Sequence, residues 1–432
     1  MKTVFVKPSI FEGVITAPPS KPYTHRALAA ALISEGISTV IKPLKARDIE
    51  ATKRACVLLG AKIMEEDWIM NLNGGVLKTP EDIIDVGNSG TTLRFFTAIS
   101  ALAPEGYAIL TGDESIRRRP MQPLLRALRD LGVDCWSSKV NGTAPIIVKC
   151  GGMRGGEAKI TGEISSQFIS ALLYASVKSE REVRIIVEGD LVSKPYIDAS
   201  IEVLKRFGFE VKRSGYELFE VDGPQTGKPC SFEVPGDYSS AALFMAAAYL
   251  TGGKVVINGL DQSLPQADAK IIEIIKKFGG RVHVSSNLVA VSGTSGGGGG
   301  EFDLKESPDL LPIVAAMAAK TREETIIRGV SHARYKESDR LKSISTELRK
   351  LGVIVEEQRD GLRIKGRKEL SGGCALEAHG DHRIFMALVI LAASTERGCF
   401  INGAELAEIS YPSFLEHARI LGMKFKVVEE EL

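Results

Sequence analysis

The sequence repeats one short pattern six times, and this repeat restricts the possible folds more than any other feature. Each copy has a helix-like stretch ending in Leu or Phe, then a glycine, then a run of β-forming residues. A glycine that ends a periodic helix is typical of a left-handed cap before the chain turns into a strand. Successive glycines are 70–76 residues apart, at Gly60, Gly132, Gly208, Gly279, Gly352 and Gly422.

Each copy also contains a helix-length stretch without charged residues. A helix that is apolar on every side must be buried on every side. Each repeat therefore predicts one buried helix and one amphipathic outer helix, with short strands between them. The uncharged stretches are 27–33, 95–103, 168–177, 241–250, 313–319 and 384–393.

A chain of 432 residues is longer than one hydrophobic core usually organises. The six repeats therefore predict an α/β protein with two domains of three repeats each. We place the first domain at 16–234 and the second at 1–15 plus 235–432. The chain passes from one domain to the other in turn-rich segments near 13–19 and 233–237. Two such crossings predict a hinge that allows domain closure. The glycine run 296–300 predicts a flexible hairpin tip.

Composition excludes several classes of function. Lys and Arg total 55 against 54 acidic residues, so the chain has no net cationic field for nucleic acid or an acidic membrane. The run 384–393 is too short to span a bilayer, and the six cysteines show no C-x-x-C spacing. We expect a cytoplasmic monomer with reduced, mostly buried thiols and no membrane or nucleic-acid partner.

Small polar residues precede the buried helices, and two interpretations stay open for them. Ser, Thr, Asn and Asp are ordinary N-caps. Parallel buried helices would also bring their positive N-terminal ends to one surface of each domain, where anions bind. With Lys21, Arg26, Arg94 and Arg383 nearby, two facing domain ends would form a cationic cleft for small phosphates or carboxylates.

Cofactor motifs are missing from the sequence. Neither a P-loop nor a Rossmann glycine pattern occurs, so no nucleotide cofactor is expected. The two histidines His379 and His382 flank Asp381 in one turn at the start of a predicted helix. No further ligand follows at the spacing of a metal site, so we predict no metal there. Glu337 lies one residue after Lys336 and three before Arg340, so we expect its carboxylate between two cations.

Several motifs in correct order resemble the enolpyruvyl transferase family, and more narrowly its 3-phosphoshikimate branch, over essentially the whole chain. The resemblance implies two inside-out α/β domains, each of three βαβαββ-type repeats with buried parallel helices, and an N-terminal strand that joins the second domain. The motifs lie at 87–92 with Arg94, at Arg119 and Pro120, and at 165–168, 193–198, 336–341 and 381–383.

The family comparison also implies an activity and a set of site residues. Members of this branch join the enolpyruvyl group of phosphoenolpyruvate to the 5-hydroxyl of shikimate-3-phosphate, without a metal or organic cofactor. The implied shikimate-3-phosphate residues are Lys21, Pro22, Arg26, Ser165, Ser166, Gln167, Ser193, Tyr196, Asp309, His332 and Lys336. The implied phosphoenolpyruvate residues are Lys21, Gly90, Arg119, Gln167, Glu337, Arg340 and Arg383.

The implied chemistry needs both a base and an acid. Asp309 is similar to the residue that accepts the hydroxyl proton, while Glu337 or Lys21 would deliver and later remove the methylene proton. Three positions depart from the family pattern: Pro22 where Ser is common, His332 where Asn is common, and Ile409 where a lysine for phosphoenolpyruvate is common. The loop position of Ile409 allows an alternative, in which the side chain simply packs under the loop.

Three other functions stay open. The sister enzyme that uses UDP-N-acetylglucosamine has the same implied fold, but it usually carries a reactive Cys before the loop arginine, and 112–116 contains none. RNA 3'-phosphate cyclases share the repeat but need a nucleotide and bind RNA. The third alternative is a non-catalytic repeat protein that binds an anionic metabolite, and only a measurement of turnover separates it from an enzyme.

Overall fold

The structure is a computed structural model that describes residues 2–293 and 297–429. The chain separates into two compact units. Pro19–Pro235 is called the first domain here, and Met1–Pro18 with Gly236–Leu432 is called the second domain. The sequence predicts crossings near 13–19 and 233–237, and the chain passes from one unit to the other after Pro18 and after Pro235.

The described chain contains strands and helices in a recurring order. In chain order the strands are β1 (Lys2–Val6), β2 (Glu12–Thr16), β3 (Gly36–Ile41), β4 (Lys62–Glu66), β5 (Ile69–Gly74), β6 (Ile84–Asp85), β7 (Tyr107–Thr111), β8 (Cys135–Ser137), β9 (Ile146–Lys149), β10 (Gly156–Thr161), β11 (Val183–Glu188), β12 (Lys212–Ser214), β13 (Leu218–Val221), β14 (Ser231–Glu233), β15 (Lys254–Asn258), β16 (Arg281–Ser285), β17 (Leu288–Ser292), β18 (Gly300–Asp303), β19 (Glu324–Arg328), β20 (Ile354–Gln358), β21 (Gly361–Lys365), β22 (Ala375–Glu377), β23 (Cys399–Asn402) and β24 (Phe425–Glu429). The α-helices are α1 (Lys21–Ile33), α2 (Arg47–Leu58), α3 (Gly90–Ser100), α4 (Gln122–Asp130), α5 (Ser166–Ser176), α6 (Lys194–Arg206), α7 (Tyr238–Thr251), α8 (Ile271–Lys277), α9 (Leu311–Ala318), α10 (Arg340–Lys350), α11 (His382–Ala392) and α12 (Phe414–Ile420).

The described strands form six four-stranded sheets, three in each domain. The first domain has the strand orders β14-β3-β5-β4, β6-β7-β9-β8 and β10-β11-β13-β12, and the second has β16-β17-β15-β2, β18-β19-β21-β20 and β22-β23-β1-β24. The repeat β18-α9-β19-α10-β20-β21 shows the predicted βαβαββ order. Its first two strands are parallel because a helix connects them, and the others pair antiparallel.

Strands distant in sequence complete three of the sheets. β14 pairs with β3 in the first domain. In the second domain β2 pairs with β15, and β1 lies between β23 and β24. The first two strands of the chain therefore pair with strands of the second domain.

The uncharged stretches form buried helices, as predicted. In α7 every residue from Tyr238 to Leu250 is buried, and α1, α3, α5, α9 and α11 are buried along nearly their whole length. α3 packs against α1 and α5, and α9 packs against α7 and α11. The six cap glycines have φ between 78° and 105°, which a residue with a Cβ rarely adopts.

The prediction of a hairpin tip at 296–300 is wrong for the part that the structure describes. Residue 296 lies outside the described residues. Gly300 begins β18, which belongs to a different sheet from the preceding strand β17, so the glycines connect two sheets. No helix among the described residues is long and apolar enough to cross a bilayer.

Candidate active site

The N-terminal ends of the buried helices meet within each domain. In the first domain Gln167 of α5 accepts a hydrogen bond from Arg94 Nη1 of α3 at 2.5 Å and donates one to Thr91 Oγ1 at 3.0 Å. In the second domain Arg383 Nη2 of α11 lies 3.3 Å from Asp309 Oδ2, just before α9. Each domain therefore gathers positive helix ends and polar side chains, which is a favourable environment for an anion.

Capping explains several of the polar residues at these helix starts. Ser89, Ser165, Asp237 and Asp381 each accept a backbone N–H from the first turn of their own helix. The capping interpretation is thus confirmed for these four. A serine cap keeps its O–H as a donor, so capping and anion binding are compatible at Ser165.

The Arg26 side chain is buried and fixed on all sides. Its Nε donates to Ser200 Oγ at 2.9 Å, and its Nη1 and Nη2 donate to the carbonyls of Pro22 and Tyr196 at 3.0 and 2.8 Å. The guanidinium also lies over the ring of Phe95, 5.6 Å from its centroid. Pro22 therefore contributes through its carbonyl, and Arg26 has little freedom to move away from its position.

Lys21 forms an ion pair that the sequence did not indicate. Its Nζ lies 2.8 Å from Asp48 Oδ2, and the two side chains are only 14% and 7% exposed. Asp48 lies in the first turn of the outer helix α2, where an acidic residue is common in any helix. The pair holds the ammonium at the N-terminal end of α1.

Gly90 and Arg119 are in close approach. A Cβ built on Gly90 would lie 2.5 Å from Arg119 Nη1, so only glycine leaves room for this guanidinium. Arg119 is itself buried and donates to Asn88 Oδ1 at 3.3 Å and Ser115 Oγ at 3.1 Å. Arg119 is thus held against the start of α3.

The remaining predicted residues of the first domain lie at two neighbouring helix starts. Ser165 caps α5 and Ser166 is its first residue. Ser193 directly precedes α6 and Tyr196 lies in its first turn, and α6 packs against α5. Ser193 has φ of 58°, a left-handed conformation that non-glycine residues seldom adopt. Such strain is common where a side chain is held for binding.

Arg340 is the centre of the polar cluster in the second domain. It is buried, and its donors contact three carboxylates: Nε with Asp381 Oδ2 at 2.8 Å, Nη1 with Asp309 Oδ1 at 2.6 Å, and Nη2 with Glu337 Oε2 at 2.6 Å. Burial opposes the charge of Arg340, but Asp381, Glu337 and Asp309 outweigh burial and raise its pKa. The guanidinium is therefore permanently charged and fixed in orientation.

Asp309 in turn has three cationic neighbours. Besides Arg340 and Arg383, Lys336 Nζ lies 3.8 Å from its Oδ1. Glu337 contacts Arg340, as expected, and Lys336 forms an ion pair with Asp309. Asp309 is thus the common neighbour of the predicted cations of this domain.

His332 is buried at 3% exposure, and neither of its ring nitrogens has a hydrogen-bond partner among the described residues. Burial and the Lys336 ammonium lower the pKa of His332 to about 3. The ring is therefore neutral and keeps one N–H donor and one acceptor for a ligand.

Sequence reasoning missed two buried carboxylates of this domain. Asp268 lies near Asp309 and Arg383, and burial and the Asp309 charge raise its pKa to about 7. Glu347 on α10 is fully buried and accepts from Lys350 Nζ, the Glu377 N–H and His379 Nε2 at 2.8–2.9 Å. Glu347 thereby ties α10 to the turn that precedes Asp381.

Three groups in this cluster are close enough to share a cation. Ligand atoms of Glu337, Asp381 and His382 lie within 4.8 Å of one another. Both carboxylates already contact the Arg340 guanidinium, which supplies the positive charge there. His382 Nδ1 is engaged at 2.6 Å by Ser410 Oγ, a contact that the sequence did not indicate.

Ile409 precedes Ser410 and is only 6% exposed. It ends a short 3-10 helix, Ala404–Ile409. The burial supports the alternative in which Ile409 packs under the loop. The side chain offers no charge to the cluster.

The chain is similar to known proteins in sequence and in structure. The family profile of EPSP synthase (3-phosphoshikimate 1-carboxyvinyltransferase) matches residues 6–418. A 3-phosphoshikimate 1-carboxyvinyltransferase of Korarchaeum cryptofilum is 46% identical over 97% of this chain and 98% of its own length, and one of Methanocaldococcus jannaschii is 43% identical over 96% and 97%. A solved EPSP synthase structure from Acinetobacter baumannii has a TM-score of 0.82 at 26% identity and covers 99% of this chain and 100% of that one. The chain therefore belongs to the EPSP synthase (3-phosphoshikimate 1-carboxyvinyltransferase) family.

Proposed function

We propose that this protein transfers the enolpyruvyl group of phosphoenolpyruvate to the 5-hydroxyl of shikimate-3-phosphate, releasing phosphate. The observation that carries the proposal is the position of Asp309 against Arg340, Arg383 and Lys336. A carboxylate beside three cations supports a role as proton acceptor next to an anionic donor. Family membership supports the same reaction.

We assign shikimate-3-phosphate to residues that provide fixed donors. Arg26 faces the carboxylate of the ring, since a buried guanidinium with fixed geometry suits a planar carboxylate. Ser165, Ser166, Ser193 and Lys336 hold the phosphate through hydroxyl and ammonium donors. Tyr196 packs against the ring, and the remaining proposed contacts are Lys21, Pro22, Gln167, Asp309 and the neutral His332.

Phosphoenolpyruvate is assigned to the arginines. Arg119, Arg340 and Arg383 neutralise its phosphate and carboxylate, because guanidinium groups bind both in a bidentate manner. Gly90 keeps Arg119 in position by leaving space for its Nη1. Lys21, Gln167 and Glu337 complete the set.

The reaction proceeds by addition and elimination. The 5-hydroxyl oxygen attacks the central carbon of phosphoenolpyruvate while Asp309 accepts the hydroxyl proton and the methylene carbon takes a proton from Glu337 or Lys21. The resulting ketal expels phosphate as the same acid–base group removes a methyl proton, which restores the double bond. The arginines stabilise the charge that gathers on the leaving phosphate, an electrostatic contribution.

Phosphate release tests the proposal. The purified full-length chain is mixed with phosphoenolpyruvate and shikimate-3-phosphate, with and without EDTA, and phosphate is measured over time. We expect steady release that EDTA does not reduce. The same assay with UDP-N-acetylglucosamine should give none.

Each alternative has its own outcome in this assay. Release only with UDP-N-acetylglucosamine would assign the chain to the sister activity. Tight binding of shikimate-3-phosphate without any phosphate release would indicate an anion-binding protein. Loss of release in EDTA would contradict the metal-independent mechanism.

A further inference from the structure

Cys374 and Cys399 lie opposite each other in the sheet that contains β22 and β23. Cys399 is the first residue of β23, and Cys374 directly precedes β22. The two strands are parallel, with Ala375 opposite Phe400. The Phe400 N–H donates to the Cys374 carbonyl at 3.0 Å, so the pairing extends one residue back to the two cysteines.

The register places both thiols on the same face of the sheet. Leu376 and Ile401, two residues further along each strand, are both buried, and side chains alternate along a strand. Paired residues on neighbouring strands have Cα atoms about 5 Å apart, within the roughly 4.4–6.8 Å that a disulfide spans.

The two thiols differ in exposure. Cys399 is fully buried, and burial together with its cysteine neighbour raises its pKa to about 11. Cys374 is only partly buried and is therefore the thiol that a reagent from solution reaches first. Cys56, Cys135 and Cys150 are buried, and the register of the sheet pairs none of them with another cysteine.

We propose that Cys374 and Cys399 are a redox pair that forms an intramolecular disulfide by exchange with a low-molecular-weight disulfide. The Cys374 thiolate attacks one sulfur of that disulfide, forms a mixed disulfide and releases one small thiol. The Cys399 thiolate then attacks the Cys374 sulfur and releases the second small thiol. The two protein thiols are oxidised, the small disulfide is reduced, and both protons end on the two released thiols.

The cross-link closes the segment 374–399, which includes α11. Residues 375–377 of β22 separate Cys374 from the turn that leads to Asp381, a span of about 10 Å at ~3.3 Å per residue. The bond thus lies away from Asp381 and Arg383. It should stabilise the second domain by restricting the unfolded chain, and its formation does not depend on the proposed enzymatic reaction.

Thiol counting and peptide mapping test the proposal. The full-length protein is incubated with oxidised glutathione, and free thiols are counted after denaturation. We expect the count to fall from six to four. Trypsin should then yield the peptides 369–383 and 398–419 as one disulfide-linked species that separates on reduction. The oxidised protein should melt several degrees higher than the reduced protein.

Two variants make the result specific. Cys374→Ser, at a partly exposed position, should keep five free thiols after oxidation and lose the rise in melting temperature. Cys150→Ser should retain the linked peptides and the higher melting temperature. Six free thiols in the oxidised wild-type protein, stable glutathione adducts without a linked pair, or a bond that maps to another cysteine would each overturn the proposal.

Discussion

Arg340 donates from Nε to Asp381 Oδ2 at 2.8 Å, and both side chains are at most 1% exposed. The other oxygen of Asp381 caps α11 by accepting the Arg383 N–H at 2.8 Å. One carboxylate therefore sets the orientation of one predicted phosphoenolpyruvate arginine and the backbone position of the other. Breaking such a buried pair leaves an uncompensated charge, which is costly.

The first prediction concerns Asp381→Asn. Asparagine keeps an oxygen for the cap but removes the charge that fixes Arg340. We expect the KM for phosphoenolpyruvate to rise about ten- to a hundredfold, the range of a lost charged hydrogen bond, with shikimate-3-phosphate affinity nearly unchanged. Asp303→Asn, which changes an exposed carboxylate at the end of β18 in the same domain, serves as the control. An unchanged KM would show that Arg340 is held without Asp381.

Asp309→Asn tests the proposed base. The amide keeps the shape of the site but cannot accept the hydroxyl proton, so turnover should fall by about two to four orders of magnitude with little change in shikimate-3-phosphate affinity. Glu301→Gln, an exposed residue of the same domain, should be neutral. A near-normal rate would move the base role to Glu337, and a large loss of affinity would make Asp309 chiefly a binding residue.

The sequence was sufficient to predict the repeated elements of the fold. Uncharged stretches predicted the six buried helices because burial on all sides leaves no place for charge, and the cap glycines marked the helix ends. It could not indicate that β14 pairs with β3, because sheet partners far apart in sequence leave no local signal. The glycine run 296–300 was misjudged for the same reason, since its composition does not reveal which sheets it connects.

Residue types predicted many polar positions at the helix ends but not their partners. Asp48 and Asp268 look like ordinary helix-start acids in sequence, yet one pairs with Lys21 and the other lies near Arg383. Ser410 contacts His382 from 28 residues away. Such contacts depend on how the repeats pack, which periodicity does not encode.

Gly90→Ala tests the close approach of Arg119. The new Cβ would lie 2.5 Å from Arg119 Nη1, so the guanidinium must shift. Alanine favours a helix, and α3 should keep its stability. We expect a KM for phosphoenolpyruvate at least about tenfold higher, on the order of one lost charged contact, at an unchanged melting temperature. Ser100→Ala, at the other end of α3, is the control, and equal KM values for both variants would contradict the prediction.

Asp268 predicts a pH dependence of stability. Its folded pKa of about 7 exceeds the usual value of 3.8, so between those limits the folded state holds a proton that the unfolded state has released. Stability should therefore fall as pH rises through this window. Asp268→Asn removes this loss of folding free energy, which is at most about 4 kcal/mol. The melting temperature of Asp268→Asn should therefore exceed that of the wild type by more at pH 8 than at pH 5. The control Asp134→Asn, at an exposed position, should differ from the wild type in melting temperature by the same amount at both pH values. The same result for Asp268→Asn would refute the raised pKa of Asp268.

The last prediction concerns Ile409, which stands where the related family usually supplies a lysine to phosphoenolpyruvate. An accessible lysine there would tighten donor binding by roughly ten- to a hundredfold, the worth of a charged hydrogen bond. Ile409 is only 6% exposed, however, and a charge without a partner is costly in such a position. We therefore expect Ile409→Lys to lower the melting temperature without lowering the KM for phosphoenolpyruvate, while the apolar Ile409→Met, similar in volume, changes neither strongly. A lower KM at an unchanged melting temperature would instead show that the loop presents residue 409 to the donor, and that isoleucine there costs this protein affinity.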